Sequence, residues 1–523
     1  FNLCSKKRSG QRSYKKTLKR HVSLCLNLAI TSFMLHKTIK TQRLGTYFVH
    51  LHTKQAVIIK MTLHDQFIKQ IRDLFPDESS EMLNAIMTTD ATVSIRVNAA
   101  KTKAMPQHAE RVPWCNTGFY LPEREAFTFD PAFHSGLYYV QDASSMILDY
   151  IIRKFIDMPV KYLDLCAAPG GKSTTAAGAL PEGSLLVCNE IVSQRANILK
   201  ENIIKWGNPN CVVTNDDSAN IGRLTHFFDV IAADVPCSGE GMFRKDPEAV
   251  TQWTPSLVEQ CACRQRDIID NVWNALKPGG LFIYSTCTFN RNENEDIVEY
   301  IIDTYGATPL NLDIPHEWNI HRGLGNLPEC CRFLPHMTRG EGLFVCALRK
   351  PDGDIKPITA KSKDNRKKAA KNTLKIDDNV KRWLINDQYS FSQREDFIYA
   401  IDNRHLEAVS LLVSNLRSIY AGIGIASLKG KDIVPSQSLA MSSMLDKNRF
   451  NTAEIDYRDT IAFLRGESVS IDAPRGYTLL THNVTPVCFA KQLGNRANNM
   501  YPKEWRIRST HIPETEPGIL KTI

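Results

Sequence analysis

Short apolar runs and longer amphipathic stretches alternate along residues 161–349. Runs at 162–167, 185–190, 210–214, 229–234 and 281–287 are apolar almost throughout, which predicts strands buried on both faces. Stretches at 173–179, 192–206, 256–276 and 293–305 repeat apolar residues three and four apart, which predicts helices. Strand–helix alternation of this kind predicts an α/β fold: a parallel sheet covered on both faces, with ligands received where strands end and glycine turns begin. Upstream, residues 62–160 mix helical periodicity with short apolar pieces, and Ser94-Ile-Arg-Val-Asn98 reads as a strand. Residues 350–375 carry eight Lys and one Arg among Pro351, Gly353 and Pro357, with few large apolar residues, and read as a solvated linker. A second unit begins near Asn379, helical at first and then rich in strands at 423–428, 476–481 and 487–490.

Length and charge refine this picture. With 523 residues, 43% of them hydrophobic, the chain has room for two or three domains. No run of 18 consecutive apolar residues occurs, so no membrane association is expected. The net charge of +9 is concentrated: residues 1–60 hold 13 Lys and Arg and no acid, leaving 52 basic against 56 acidic residues in the rest. Net charge is therefore no argument that the folded part binds nucleic acid, and any phosphate-binding surface there must be local. The acid-free stretch before Met61 reads as upstream sequence translated from a misplaced start. A targeting segment or a basic RNA-binding arm are the alternatives. The 14 cysteines form no C-x-x-C pair, so no metal site is expected, and their unpatterned spacing suits a reducing cytoplasm.

Four segments carry the chemistry. Leu163-Asp-Leu-Cys-Ala-Ala-Pro-Gly-Gly-Lys172-Ser173 runs a strand into a glycine turn that opens a helix, whose free N–H groups suit a polar or anionic ligand. It is neither G-x-G-x-x-G nor a Walker loop: with Gly171-Lys172-Ser173 at the end of the latter, its first glycine would have to stand at Cys166. Glu190 ends the next strand, where a carboxylate can accept both hydroxyls of a ribose. Asp216 and Asp217 end the third strand; either can face an adenine, and one of them can instead cap a turn. Asp234-Val-Pro-Cys237-Ser-Gly-Glu-Gly241 and Ser285-Thr-Cys287-Thr288 then place two thiols at the ends of neighbouring strands. A lone strand-end cysteine is usually a small buried hydrophobe, but two at the ligand edge of one sheet ask for a reason. Carbon 5 of cytosine supplies one. It is a poor nucleophile until a thiolate adds to carbon 6 and turns the ring enamine-like. An acid near N3 and the N4 amine stabilises that adduct, and Asp234 is placed for it.

These four motifs resemble those of the Sun/nucleolar-protein family of RNA cytosine-5 methyltransferases over roughly residues 62–350. The resemblance implies a Rossmann-like core that binds S-adenosylmethionine, with Cys287 of the Thr-Cys-Thr element as nucleophile and Cys237 of the Pro-Cys-Ser element in product release. Enzymes of this chemistry that act on DNA use the Pro-Cys cysteine instead; the Thr-Cys-Thr element favours the RNA pattern. The implied cofactor ligands are Cys166, Ala167, Ala168, Pro169, Gly170, Gly171, Lys172, Glu190, Asp217 and Asp234. Asp217 is preferred over Asp216 by its offset from Gly207-Asn-Pro-Asn. Arg96-Val-Asn98 resembles the family's N-terminal RNA-facing strand, and His134–Ser145 its lead-in to the catalytic domain. Arg244 and Lys245, just after the Pro-Cys loop, are plausible phosphate contacts beside such a site. Lys447-Asn-Arg-Phe450, Leu464-Arg-Gly-Glu467, 476–480 and 498–503 are similar to the tail of the bacterial 16S ribosomal RNA methyltransferases of the F type, which includes an RNA-binding PUA-like domain.

The expected plan is a doubtful basic extension at 1–60 and an N-terminal RNA-facing α+β module at 61–135. The catalytic domain follows at 136–350, a basic linker at 351–378, and a C-terminal region with a β-rich PUA-like domain at 379–523. The expected substrate is 16S ribosomal RNA, free or in the small ribosomal subunit, with no obligate protein partner. A transfer RNA substrate and a non-catalytic ribosome-assembly role are the rival expectations.

Overall fold

Five parallel strands form the heart of the central sheet: β1 (Lys161–Asp164), β2 (Leu185–Asn189), β3 (Cys211–Thr214), β4 (Phe228–Asp234) and β5 (Leu276–Thr286). They lie in the order β5-β4-β1-β2-β3. Four helices expected from periodicity connect them or flank the sheet: α1 (Gly171–Ala179), α2 (Ser193–Trp206), α3 (Pro255–Val272) and α4 (Glu295–Tyr305). The computed structural model describes residues 62–354, 376–494 and 496–521, all within one unit, Met61–Ile523. The 1–60 extension and most of the 351–378 linker lie outside the described residues.

The unbroken apolar runs follow from burial on both faces. Along β4 and β5 successive side chains point to opposite sides of the sheet. Val230, Ala232 and Ile283 enter one buried cluster. Ile231, Ala233, Phe282 and Tyr284 enter the other. Each fully buried Ile or Phe contributes about 1.5–3 kcal/mol, so neither face tolerates a polar run.

The sheet is mixed, which corrects the expectation of a purely parallel one. β6 (Leu343–Arg349) runs antiparallel beside β5, with Cys331–Phe333 beyond it. At the opposite edge β7 (Ser418–Ala421) pairs antiparallel with β3, placing Ala421 across from Val212. A bare β3 edge would leave a row of unpaired backbone groups on an apolar strand. Next to β7, helix α5 (Leu406–Asn415) adds Val409 and Leu412 to the cluster that holds Val187 and Val212. The region after residue 378 is thus not detached: its first part completes the central sheet.

Two helices, Asp65–Leu74 and Ser79–Thr88, lie at the N-terminal end of the described chain. Their apolar faces meet Phe243, Trp253 and Phe289, which belong to or follow the two cysteine loops. The Phe67 ring centroid lies 5.0 Å from that of Phe243 and 5.6 Å from that of Trp253. A four-stranded sheet follows, ordered Glu110–Arg111, Gly118–Tyr120, Ser94–Val97, Tyr138–Val140. Here a second expectation changes. Arg96 does not present its guanidinium outward: it is 1% exposed, donates to Gln141 Oε1 at 2.9 Å and Thr174 Oγ1 at 2.5 Å, and lies over the Trp206 ring. Asn98 likewise turns inward, donating to the carbonyls of Gly136 and Trp206. Both dock the N-terminal sheet onto α1 and α2.

The C-terminal region carries two further four-stranded sheets. One contains Tyr389–Arg394, Phe397–Asp402, Ile423–Lys429 and Asp432–Pro435. The other contains Asn451–Glu454, Gly476–His482, Thr485–Gln492 and Ala497–Asn499. One buried cluster runs from Trp114 and Ile147 through Ile283 and Val345 to Phe463 and Phe489, so all three regions share a core.

Candidate active site

The site forms where β1, β2, β4 and β5 end. After β1 the chain turns at Gly170, whose φ of 117° lies in the left-handed region where a Cβ is strained, and α1 begins at Gly171. Ser173, in the first turn of α1, donates to Asp164 Oδ2 at 2.6 Å and ties the helix start to the strand end. Burial pushes the Asp164 carboxyl up to about 7, against the Ser173 hydrogen bond.

At the end of β2, Glu190 is 3% exposed. Its Oε1 accepts from Val192 N–H at 2.8 Å, and Oε2 lies 3.3 Å from Arg195. Arg195 also donates to the Ala168 carbonyl at 2.7 Å, so one guanidinium joins the glycine turn to Glu190. Asn189 bridges inward to the Leu165 and Asp216 carbonyls. The carboxylate of Asp216 is engaged: Oδ1 accepts from Asp217 N–H and Asn220 Nδ2, and Oδ2 from Arg417 N–H. Asp217 caps the short helix Ser218–Ile221 through Oδ1 and is the more exposed of the two acids.

The strand register sets the reactive groups. Ser285 of β5 stands opposite Asp234 of β4 and donates to its Oδ1 at 2.8 Å. Lys172 Nζ lies 2.8 Å from Asp234 Oδ2. Burial acts to lower the Lys172 ammonium, but Asp234 outweighs it and holds the pKa above the ordinary lysine value. Beyond these strand ends the two thiols meet, with Cys237 Sγ 3.3 Å from Cys287 Sγ. The hydrogen bond to Cys287 and then burial push the Cys237 thiol well above its usual range. Either sulfur can donate to the other, and the shift of the Cys237 thiol is upward. The Cys287 N–H, 3.3 Å from Cys237 Sγ, acts in the opposite sense as the smaller effect.

Three residues have roles the sequence did not disclose. Glu240, 1% exposed, accepts from Trp253 Nε1, Gln70 Nε2 and the backbone N–H groups of Phe289 and Asn290. Glu293 accepts from Ser238 N–H, Asn290 Nδ2 and Gln265 Nε2. Ser285 orients Asp234. Both glutamates lie in polar-looking segments, Gly-Glu-Gly and Asn-Arg-Asn-Glu, and only their burial marks them. Arg244 also departs from expectation. Its guanidinium is buried against Glu341 Oε2 at 2.8 Å and also donates to the Gly340 carbonyl and Thr89 Oγ1, which leaves it no phosphate-facing role. Lys245 remains partly exposed, 3.6 Å from Asp142 and Glu341.

Comparison with known proteins shows the family. Residues 158–349 match the family of the 16S rRNA methyltransferase RsmB/F. Residues 63–143 match the N-terminal domain of the 16S rRNA methyltransferase RsmF, and residues 450–507 the RsmF PUA domain. The ribosomal RNA small subunit methyltransferase F of Aliivibrio salmonicida is 30% identical over 464 residues, covering 84% of this chain and 97% of that protein. Its counterpart in Escherichia coli O127:H6 is 29% identical over 476 residues, covering 84% and 96%. Among solved structures, that of PH0851 shares the fold, with a TM-score of 0.50 at 21% identity over 55% of this chain and 66% of the other. With a relative matched at this identity over nearly its whole length, the chain belongs to the family of the ribosomal RNA small subunit methyltransferases F.

Proposed function

We propose that this protein transfers a methyl group from S-adenosylmethionine to carbon 5 of a cytosine in 16S ribosomal RNA, with Cys287 as nucleophile. The observation that carries the reading is the meeting of two thiols, 3.3 Å apart, at the strand ends that also hold the Lys172–Asp234 pair.

The residues fit the cofactor by the chemistry of their donors and acceptors. Glu190 suits the ribose hydroxyls, Asp217 the adenine side, and the turn 166–172 with the start of α1 the polar amino-acid end. When bound, S-adenosylmethionine supplies the activated methyl group. Cys287, as thiolate, adds to carbon 6 of a base held out of its stack. Asp234, fixed by Ser285 and Lys172, stabilises the ring charge at N3 and the N4 amine. After carbon 5 is methylated its proton passes to water and the carbon 5–carbon 6 double bond re-forms. The carbon–sulfur bond breaks as that double bond forms, its electron pair leaving on Cys287. Cys237 keeps its proton and donates a hydrogen bond to the departing sulfur.

The proposed division of labour follows 61–135, 136–350 and 379–523, with β7 serving the catalytic sheet and the β-rich C-terminal end contacting RNA. The same reading puts the protein in the cytoplasm, where small ribosomal subunits are substrates. Bisulfite sequencing of ribosomal and transfer RNA with and without the gene tests it. One 16S cytosine should lose its protection; loss at a transfer RNA position instead would overturn the substrate assignment.

A further inference from the structure

Two sulfurs that share a proton can divide it either way, and the nucleophile is whichever is left charged. Groups on either side of the Cys237–Cys287 pair are unequal. On the Cys237 side lies Glu293, fully buried, with only neutral donors: Ser238 N–H at 3.0 Å, Asn290 Nδ2 at 2.8 Å and Gln265 Nε2 at 2.8 Å. Ser238 directly follows Cys237, and Asn290 lies three residues after Cys287, so one carboxylate ties both cysteine loops together. Ser238 Oγ and Thr288 Oγ1, 2.9 Å apart, repeat the tie. Gln265 reaches in from α3 and also holds the Pro236 carbonyl at 3.0 Å. On the Cys287 side the charged group is the Lys172 ammonium, itself paired with Asp234.

We propose that Glu293 is a positioning residue that locks Cys237 against Cys287 and, by its charge, keeps the shared proton on Cys237. The inference rests on the assignment of Cys287 as nucleophile and gives it a physical cause. A buried carboxylate opposes a second negative charge on the nearer sulfur, while Lys172 favours one on the farther. Burial raises the Glu293 carboxyl above its usual value, and the three N–H donors aimed at its oxygens oppose that shift in favour of the ionised form. On the Cys287 side, Asp234 is paired with Lys172, and Cys261 faces Cys287 as well as Glu293. Glu240, Cys261 and Tyr284 face Glu293, and Tyr284 also faces Cys237. Arg264 acts on Cys261 and Arg266 on Tyr284. The same field explains why the Thr-Cys-Thr thiol, rather than the Pro-Cys thiol, serves as nucleophile in this chain.

The test reads Cys237 directly. In a Cys287→Ala background, alkylation of Cys237 by iodoacetamide is followed against pH by peptide mass spectrometry, with and without Glu293→Gln. The glutamine should lower the alkylation midpoint and speed the reaction about tenfold at pH 8, since one pKa unit is a tenfold change in thiolate fraction. Glu293→Asp, which keeps the charge, should restore the slow profile. With Cys287 intact, Glu293→Gln should slow adduct formation while KM for RNA and cofactor affinity hold. An unchanged alkylation profile in a variant that still binds cofactor would overturn the inference. Where Glu293→Gln fails to fold, Gln265→Met removes one donor from the carboxylate and should accelerate alkylation about threefold by the same thiolate relation; no change there also overturns it. Failure of the nucleophile assignment would show separately, as an RNA adduct formed without Cys287.

Discussion

Replacing Cys237 by alanine should turn a transient covalent complex into a lasting one. Its sulfur stands 3.3 Å from Cys287 Sγ, and the Cys237 thiol holds its proton well above the ordinary range. In Cys237→Ala the thiolate leaving carbon 6 loses that hydrogen bond. A hydrogen bond to a charged group is worth about 1.5–3 kcal/mol, and each 1.36 kcal/mol is tenfold in rate, so release should slow by roughly 10–100-fold. Attack by Cys287 is retained, so protein and RNA accumulate as one species. Denaturing gel electrophoresis with labelled 16S RNA and cofactor reads this as a slow band in Cys237→Ala that is absent in Cys287→Ala. The alanine itself disturbs little, because Cys237 is half-buried at a loop. A band in Cys287→Ala instead would exchange the two roles, and wild-type turnover by Cys237→Ala would refute the release argument altogether.

Further outcomes follow from other parts of the structure. Gly170→Ala puts a Cβ on a residue at φ 117°, a strain of about 1–2 kcal/mol; calorimetry should show weaker cofactor binding and a lower melting temperature, and unchanged binding would mean the turn is not a ligand cradle. Asp164 is pushed from 3.8 up to about 7 in the folded protein, so below pH 4 both states are protonated and folding feels nothing. As pH rises from about 4 to 7 the unfolded chain ionises first and the folded state is penalised. Asp164→Asn should therefore gain melting temperature relative to wild type across that window, and a flat difference would disprove the burial effect. A chain ending at residue 378 removes β7 and α5, baring β3 and the face lined by Val187 and Val212; light scattering should show aggregation, and a monomer with the full-length melting temperature would contradict the shared sheet.

Local patterning was enough for much of this molecule. Apolar runs within 185–190 and 229–234 become β2 and β4 because both faces of a central strand are covered. The spacing from Lys172 to Glu190 spans one helix and one strand, so the sequence places the glycine turn and a carboxylate on adjacent strand ends. Both cysteines were visible because each follows an apolar run, and strand ends are where such sheets bind ligands. Arg96 and Arg244 misled for the converse reason. An arginine in a sequence looks solvated, and only the fold places Gln141 and Thr174 around one and Glu341 beside the other.

The sequence by itself determined the elements, the strand-end position of Cys287 and the family kinship, because these depend on residues adjacent in the chain and on periods of two and 3.6. The tertiary structure alone decided what lies between distant segments. It brought Cys237 and Cys287, 50 residues apart, to 3.3 Å. It buried Glu240 and Glu293 beneath them and closed the β3 edge with a strand from the C-terminal region. Burial and long-range pairing set charge, proton position and sheet completion, and neither is encoded in any short window of residues.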